Sequence, residues 1–196
     1  MTSCSLHPAR LLAGFLLSLS AAGAALAAAA VPAPPAVTPI ASLDVPRYMG
    51  TWYEIAKYPN RFQKDCASDT SATYSLQPDR TVQVLNRCRR ADGRLDTAVG
   101  SARQSGAPDS PKLKVRFAPR WLSFLPMVWG DYWVIDLDPA YQLAAVSEPT
   151  REFLWILART PNVPKPAYDA LLARLARQGF DVSKIAPTRQ AADPAR

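Results

Sequence analysis

Histidine is almost missing from this sequence, and its single copy, His7, sits in the opening stretch. Everything after it must work without an imidazole, which excludes a histidine-bound zinc, a Ser-His-Asp triad and a Cys-His pair. Glycine is scarce as well, with 8 in 196 residues. No glycine-rich phosphate loop and no nucleophile elbow can be traced, so nucleotide binding and serine hydrolysis lack their usual sequence support. The carboxylates offer one close pair, Asp136 and Asp138. They share a strand face, and the second precedes Pro139, which marks a strand end and a turn rather than an acid-base pair. The expectation is a protein with no catalytic residues, no metal and no cofactor. No internal repeat is visible.

Long apolar runs are missing too, except at the start. A basic stretch with His7 and Arg10 leads into Leu11-Leu12-Ala13-Gly14-Phe15-Leu16-Leu17 and an alanine-rich tail. That is the plan of a signal peptide over 1–30, with the small residues of Ala25-Leu26-Ala27 placed for cleavage. The apolar block is shorter than the ~20 residues a membrane span needs. Cys4 stands before this block, so no cysteine follows the cut as a lipoprotein anchor requires. The expected product is exported and soluble. Positions 31–41, rich in proline and free of aromatics, read as an extended tether. A single domain is expected over 42–189, with a disordered tail over 190–196.

Acidic residues are outnumbered, and the net charge is +7. The basic side chains are scattered, and the local patch Arg87, Arg89, Arg90 and Arg94 reads as a solvated face, so no nucleic-acid partner is expected. Cysteine is sparse. With Cys4 removed, Cys66 and Cys88 form an even pair in an exported chain, where a disulfide is the expected state. The two flank a hairpin turning at Pro78-Asp79-Arg80, which sets Cys88 across from about Thr70. The closure is worth roughly 3 kcal/mol on the chain-entropy model.

What the chain does hold is a series of short runs rich in β-branched and aromatic residues, separated by Pro, Gly, Asp and Asn clusters. Strands are expected at about 50–57, 69–77, 81–89, 95–104, 112–118, 130–138, 142–148 and 152–159. An eight-stranded antiparallel barrel is the size that holds one small ligand. Leu113-Lys114-Val115-Arg116-Phe117 alternates, as a half-buried strand does, whereas Phe153-Leu154-Trp155-Ile156-Leu157-Ala158 is apolar on both faces and needs cover outside. That cover follows: Ala167, Tyr168, Leu171, Leu172, Leu175 and Ala176 recur at helical spacing between Pro164 and Gly179. The run Phe180 to Ile185 is a candidate ninth strand.

The first strand opens with Tyr48-Met49-Gly50-Thr51-Trp52-Tyr53-Glu54-Ile55-Ala56, which resembles the Gly-x-Trp signature of the lipocalins. Asp131-Tyr132, the run Leu154 to Pro161, and Gly179-Phe180-Asp181-Val182-Ser183-Lys184 extend the likeness from about Val45 to Ile185. The whole resembles the bacterial lipocalins, relatives of apolipoprotein D. The resemblance implies an all-β, eight-stranded up-and-down barrel with one outer C-terminal helix. It also implies a periplasmic carrier that binds a fatty acid, lysophospholipid or related amphiphile and supports envelope lipid maintenance; no enzyme activity is expected, and the alternatives are an isomerase-like lipocalin enzyme or an envelope interaction module that uses the 121–129 loop. Outer-membrane attachment is not expected without a lipid-bearing cysteine. Gly50, Trp52 and Arg159 would then be structural, Trp52 plugging the barrel floor with Arg159 stacked on its indole. Period-2 alternation nominates Glu54, Ala56, Tyr74, Val84, Asn86, Leu113, Val115, Phe117, Tyr132, Val134 and Trp155 as cavity residues. The loop from Trp121 to Trp129 is too apolar for a solvated loop, and reads as an entrance lid, with membrane-surface or homodimer contact as the alternatives.

Overall fold

The computed structural model describes residues 35–191. The signal segment expected over 1–30, the first part of the tether and positions 192–196 lie outside the described residues. The β-branched and aromatic runs form β1 (Gly50–Lys57), β2 (Ser68–Leu76), β3 (Val82–Arg89), β4 (Leu95–Gln104), β5 (Lys112–Arg116), β6 (Gly130–Leu137), β7 (Leu143–Ser147) and β8 (Leu154–Ala158). Each strand pairs antiparallel with the next, β8 pairs with β1, and β1 pairs with β2, which closes the sheet into a barrel. The expected all-β eight-stranded barrel with a trailing helix is the fold observed.

Two apolar cores share its wall. The inner one gathers Trp52, Tyr74, Val82, Val84, Ala102, Leu113, Val134, Val146 and Leu157. The outer one sits beneath α2 (Lys165–Arg177), where Leu171 and Leu175 are fully buried against Leu154, Ile156 and Ala158. Full burial of a leucine side chain contributes ~1.5–3 kcal/mol, enough to hold the helix on a strand that is apolar on both faces. Asp136 locks the contact by accepting from Arg174 Nε at 2.6 Å and Nη2 at 2.9 Å. Those bonds raise the arginine's pKa above its ordinary value.

β-Bulges break the inside-outside alternation in β1 and in β6. In β1 the register with β8 shifts between Glu54 and Ala56, so Ile55 and Ala56 both face the outer core while Lys57 returns inward opposite Trp155. In β6 a shift between Val134 and Asp136 sends Ile135 and Asp136 both outward. One extra residue on one strand is all that this requires.

The described segments on either side of the barrel are also built in. Of the tether, Pro35 and the residues after it lie against the domain: Val37 is buried in the outer core, and the Ile40 N–H donates to Val134 O at 3.0 Å. That corrects the expected free tether, because β5 is short and leaves backbone acceptors of β6 open beyond its end. The run Val182–Lys184 is a 3-10 turn capped by Asp181, and the ninth strand is Ala186–Pro187 (β9), paired with Ala56 and Lys57. Beyond Tyr53 the β1–β2 pairing stops, and the C-terminal segment laces the gap. Gln190 Nε2 donates to Glu54 O at 2.7 Å and Thr70 O at 2.9 Å, and the Ala191 N–H donates to Asp69 at 2.6 Å. The start of the expected disordered tail is thus anchored. Cys66 and Cys88 are bonded, with Cα atoms 5.6 Å apart, where the β2 register shifts between Ser68 and Ser71.

Candidate ligand-binding site

The lower end of the barrel is closed by α1 (Val45–Tyr48), capped by Asp44. Trp52 is fully buried above it and donates its indole N–H to Tyr48 O at 2.9 Å. The Arg159 guanidinium stacks 3.9 Å from that ring and donates to Thr51 O and Arg47 O, each at 3.0 Å. Gly50 has φ +93, and a Cβ there would meet Arg159 at 3.3 Å, so the position suits only glycine. Above the floor, the Tyr132 hydroxyl is 3.0 Å from those of both Tyr48 and Tyr74. Burial pushes the Tyr74 pKa up to about 12, and those of Tyr48 and Tyr132 are raised as well, burial again leading. The three stay protonated and hydrogen-bonded in any ordinary medium.

Above this trio the interior opens. Along the inner face of β4, Ala102 is buried, Gly100 is half-buried and Ala98 is exposed. Gly100 leaves room for a ring: a Cβ there would meet Phe117 Cδ1 at 2.8 Å. The opposite wall is polar. Glu54 accepts from Lys57 Nζ at 2.8 Å, from Thr188 Oγ1 at 2.6 Å and from Gln63 Nε2 at 2.5 Å. Gln63 Oε1 accepts from the Trp155 indole N–H at 2.9 Å, which pins the short turn Arg61–Gln63 beside the mouth. An aromatic file climbs from there to the rim: Trp155 stacks on Phe153 at 5.8 Å, and Phe153 meets the exposed Phe62 at 5.4 Å. The arrangement is a cup with an apolar rim, an ion pair in one wall and a floor of tyrosine hydroxyls. Among the described residues no His/Cys/Asp/Glu cluster is placed to hold a metal.

The loop after β5 does not cover this cup. Trp129 lies on the outer wall, its ring 4.4 Å from the Arg103 guanidinium and 5.2 Å from that of Arg116. Its indole N–H donates to Ser123 O at 2.8 Å. The expected entrance lid is therefore an outer flap, because cation–π contact with cations on the outer face of β4 and β5 draws it outward. On the flap, two 3-10 turns, Arg120–Leu122 and Pro126–Val128, hold Trp121, Phe124 and Met127 at 72%, 75% and 85% exposure.

A family model described as a lipocalin-like domain matches residues 43–190. The chain is a lipocalin. Lipocalins bind small hydrophobic ligands. It shares 43% identity over 157 residues with temperature-induced lipocalin-1 of Arabidopsis thaliana, covering 79% of this chain and 83% of that one. With outer membrane lipoprotein Blc of Escherichia coli K12 it shares 41% over 175 residues, 87% of this chain and 94% of the relative. Mouse apolipoprotein D is 33% identical over 159 residues, 78% and 80% of the two chains. Insecticyanin from the tobacco hornworm Manduca sexta superposes with a TM-score of 0.63 at 20% identity, covering 83% of this chain and 88% of that chain. That likeness shows the fold alone.

Within this lipocalin the nominated cavity residues divide. Asn86, Val115, Phe117, Tyr132 and Trp155 line the inner face where it opens or just below. Tyr74, Val84, Leu113 and Val134 are buried in the packed lower core. Ala56 is corrected: the β1 bulge turns it outward beneath the helix. Glu54 points inward, but its carboxylate is occupied by three donors. Lys57, Gln63 and Phe153 were not legible as site residues. Period-2 counting from Trp52 places Lys57 outside, and Gln63 lies in a loop with no period.

Proposed function

We propose that this lipocalin is an exported, periplasmic carrier that takes the chain of a fatty acid, lysophospholipid or similar amphiphile into the upper half of its barrel. The role would be envelope lipid maintenance, without catalysis. The opening of the inner face from buried Ala102 to exposed Ala98 carries this reading, since it leaves apolar wall accessible above a closed floor. Each methylene buried there contributes ~0.8 kcal/mol. Native mass spectrometry of the protein taken from its own periplasm, followed by lipid extraction, should show a bound amphiphile. The absence of any co-purifying lipid, together with no displacement of a fluorescent fatty acid, defeats the reading.

The outer flap supports a second element: contact with an anionic lipid surface. The segment Pro119–Trp129 contains no acidic residue, presents Trp121, Phe124 and Met127 to solvent, and has Arg120, Arg103 and Arg116 around it. Among the described residues no helix is long and apolar enough to cross a membrane, so this contact would be interfacial. Co-sedimentation with anionic vesicles should be lost in the triple variant W121A/F124A/M127A. Unchanged sedimentation sinks it, and a dimer in solution that the same substitutions dissolve assigns the flap to a second copy instead.

A further inference from the structure

We infer that Lys57 is the receptor for the charged head of the ligand, and that the amphiphile carried is anionic, a carboxylate or a phosphate. The inference rests on the carrier reading and adds the ligand's charge to it. The β1 bulge brings Lys57 inside, opposite Trp155, with only 14% of its side chain exposed. An ammonium carries three N–H donors. One is spent on Glu54, and no other acceptor among the described residues receives Lys57.

The pair is unequal. Glu54 would keep Thr188 Oγ1 and Gln63 Nε2 if Lys57 turned away, so its carboxylate would still have two hydrogen-bond donors. Lys57 has no such reserve. An incoming oxyanion can take the two remaining N–H groups while Glu54 stays satisfied by its neutral donors. The position suits an amphiphile. Trp155 and Phe153 lead from the rim to the ammonium, and across the cup Ala98, Gly100 and Phe117 offer apolar wall for the chain. Gln63, bonded to both Glu54 and Trp155, holds the geometry and acts as a positioning residue.

The test compares dodecanoic acid with 1-dodecanol, which share a chain and differ in the head, by displacement of neutral N-phenyl-1-naphthylamine from the mature protein at neutral pH. A charge-assisted hydrogen bond predicts that the acid binds about 10-fold tighter or more. In K57M the acid-over-alcohol preference should vanish, the two affinities becoming equal. K57M leaves Glu54 without its cation, so the neutral double variant E54Q/K57M provides a second reading in which the preference should also vanish. A phosphate arm, dodecanoyl lysophosphatidylglycerol, identifies the head: tighter binding than the acid through Lys57 names a phosphate, weaker binding names a carboxylate. Equal affinity for acid and alcohol in the parent protein, or a preference that survives both variants, overturns the inference and leaves the carrier reading standing. If neither ligand nor the probe binds, the carrier reading fails and takes the inference with it.

Discussion

The two ends of the barrel are made by the same strands and obey opposite rules. At the floor every inward residue has a fixed partner: Trp52 under Arg159, Tyr132 between two other tyrosine hydroxyls, and carbonyls of α1 and β1 on the guanidinium. At the mouth β1 parts from β2 beyond Tyr53 and bulges, Ala98 meets solvent and Lys57 keeps donors free. The difference shows how one closed sheet divides its work. The lower half stores stability through packing and satisfied polar groups, and the upper half leaves surface unsatisfied, which a ligand can complete.

The contrast is sharpest for Trp52→Ala. Removing a fully buried indole and the partner of Arg159 should cost ~3–5 kcal/mol in urea unfolding. A loss below about 1 kcal/mol would mean that the floor is not where stability resides. Next is the disulfide, which ties the β1–β2 loop to β3 across a sequence separation of 22. Replacing both cysteines by serine should lower stability by ~2–4 kcal/mol, read in the same urea experiment.

Tyr132→Phe comes third. It leaves two buried hydroxyls short of a partner and should cost ~1–3 kcal/mol. The trio also sets an alkaline limit. An unfolded tyrosine ionises near pH 10.0, whereas burial holds folded Tyr74 protonated up to about 12, so the folded state keeps the proton longer. That stability is complete below pH ~10 and is lost as the pH climbs toward the folded value. Tyrosinate absorbance from the trio should appear only together with loss of tertiary structure; its appearance in the folded protein would place these hydroxyls in contact with water. The smallest effect belongs to the rim. Phe62 is 64% exposed, and Phe62→Ala should change stability by less than about 0.5 kcal/mol. A cost near that of Trp52→Ala would abolish the distinction between the two ends.

Much of this was legible along the chain. The eight strands fall close to the segments that periodicity marks, since a pleated wall buried on one side must alternate. The helix stripe from Ala167 to Ala176 names the face that packs, and the pairing of Cys66 with Cys88 was expected from their even number and the hairpin geometry. What stayed hidden was set by contacts distant in sequence. The bulge that turns Ala56 out and Lys57 in leaves no mark on composition, because it answers to the register of β8 roughly a hundred residues away. Pro35 to Leu43 looks like a spacer until the unpaired edge of β6 is present to receive Ile40. The flap residues are apolar in sequence whichever way they point. Only Arg103 and Arg116 on the outer wall settle the direction of Trp129.

The sequence by itself determined the class of fold, the Gly50-Thr51-Trp52 floor and the outer helix, because each depends on residue type and local spacing. Tertiary structure decided which side chains look into the cup, how the flanking segments seal the seam and where the flap lies. Those depend on register and on backbone groups left without partners, which are properties of two strands together and of neither alone.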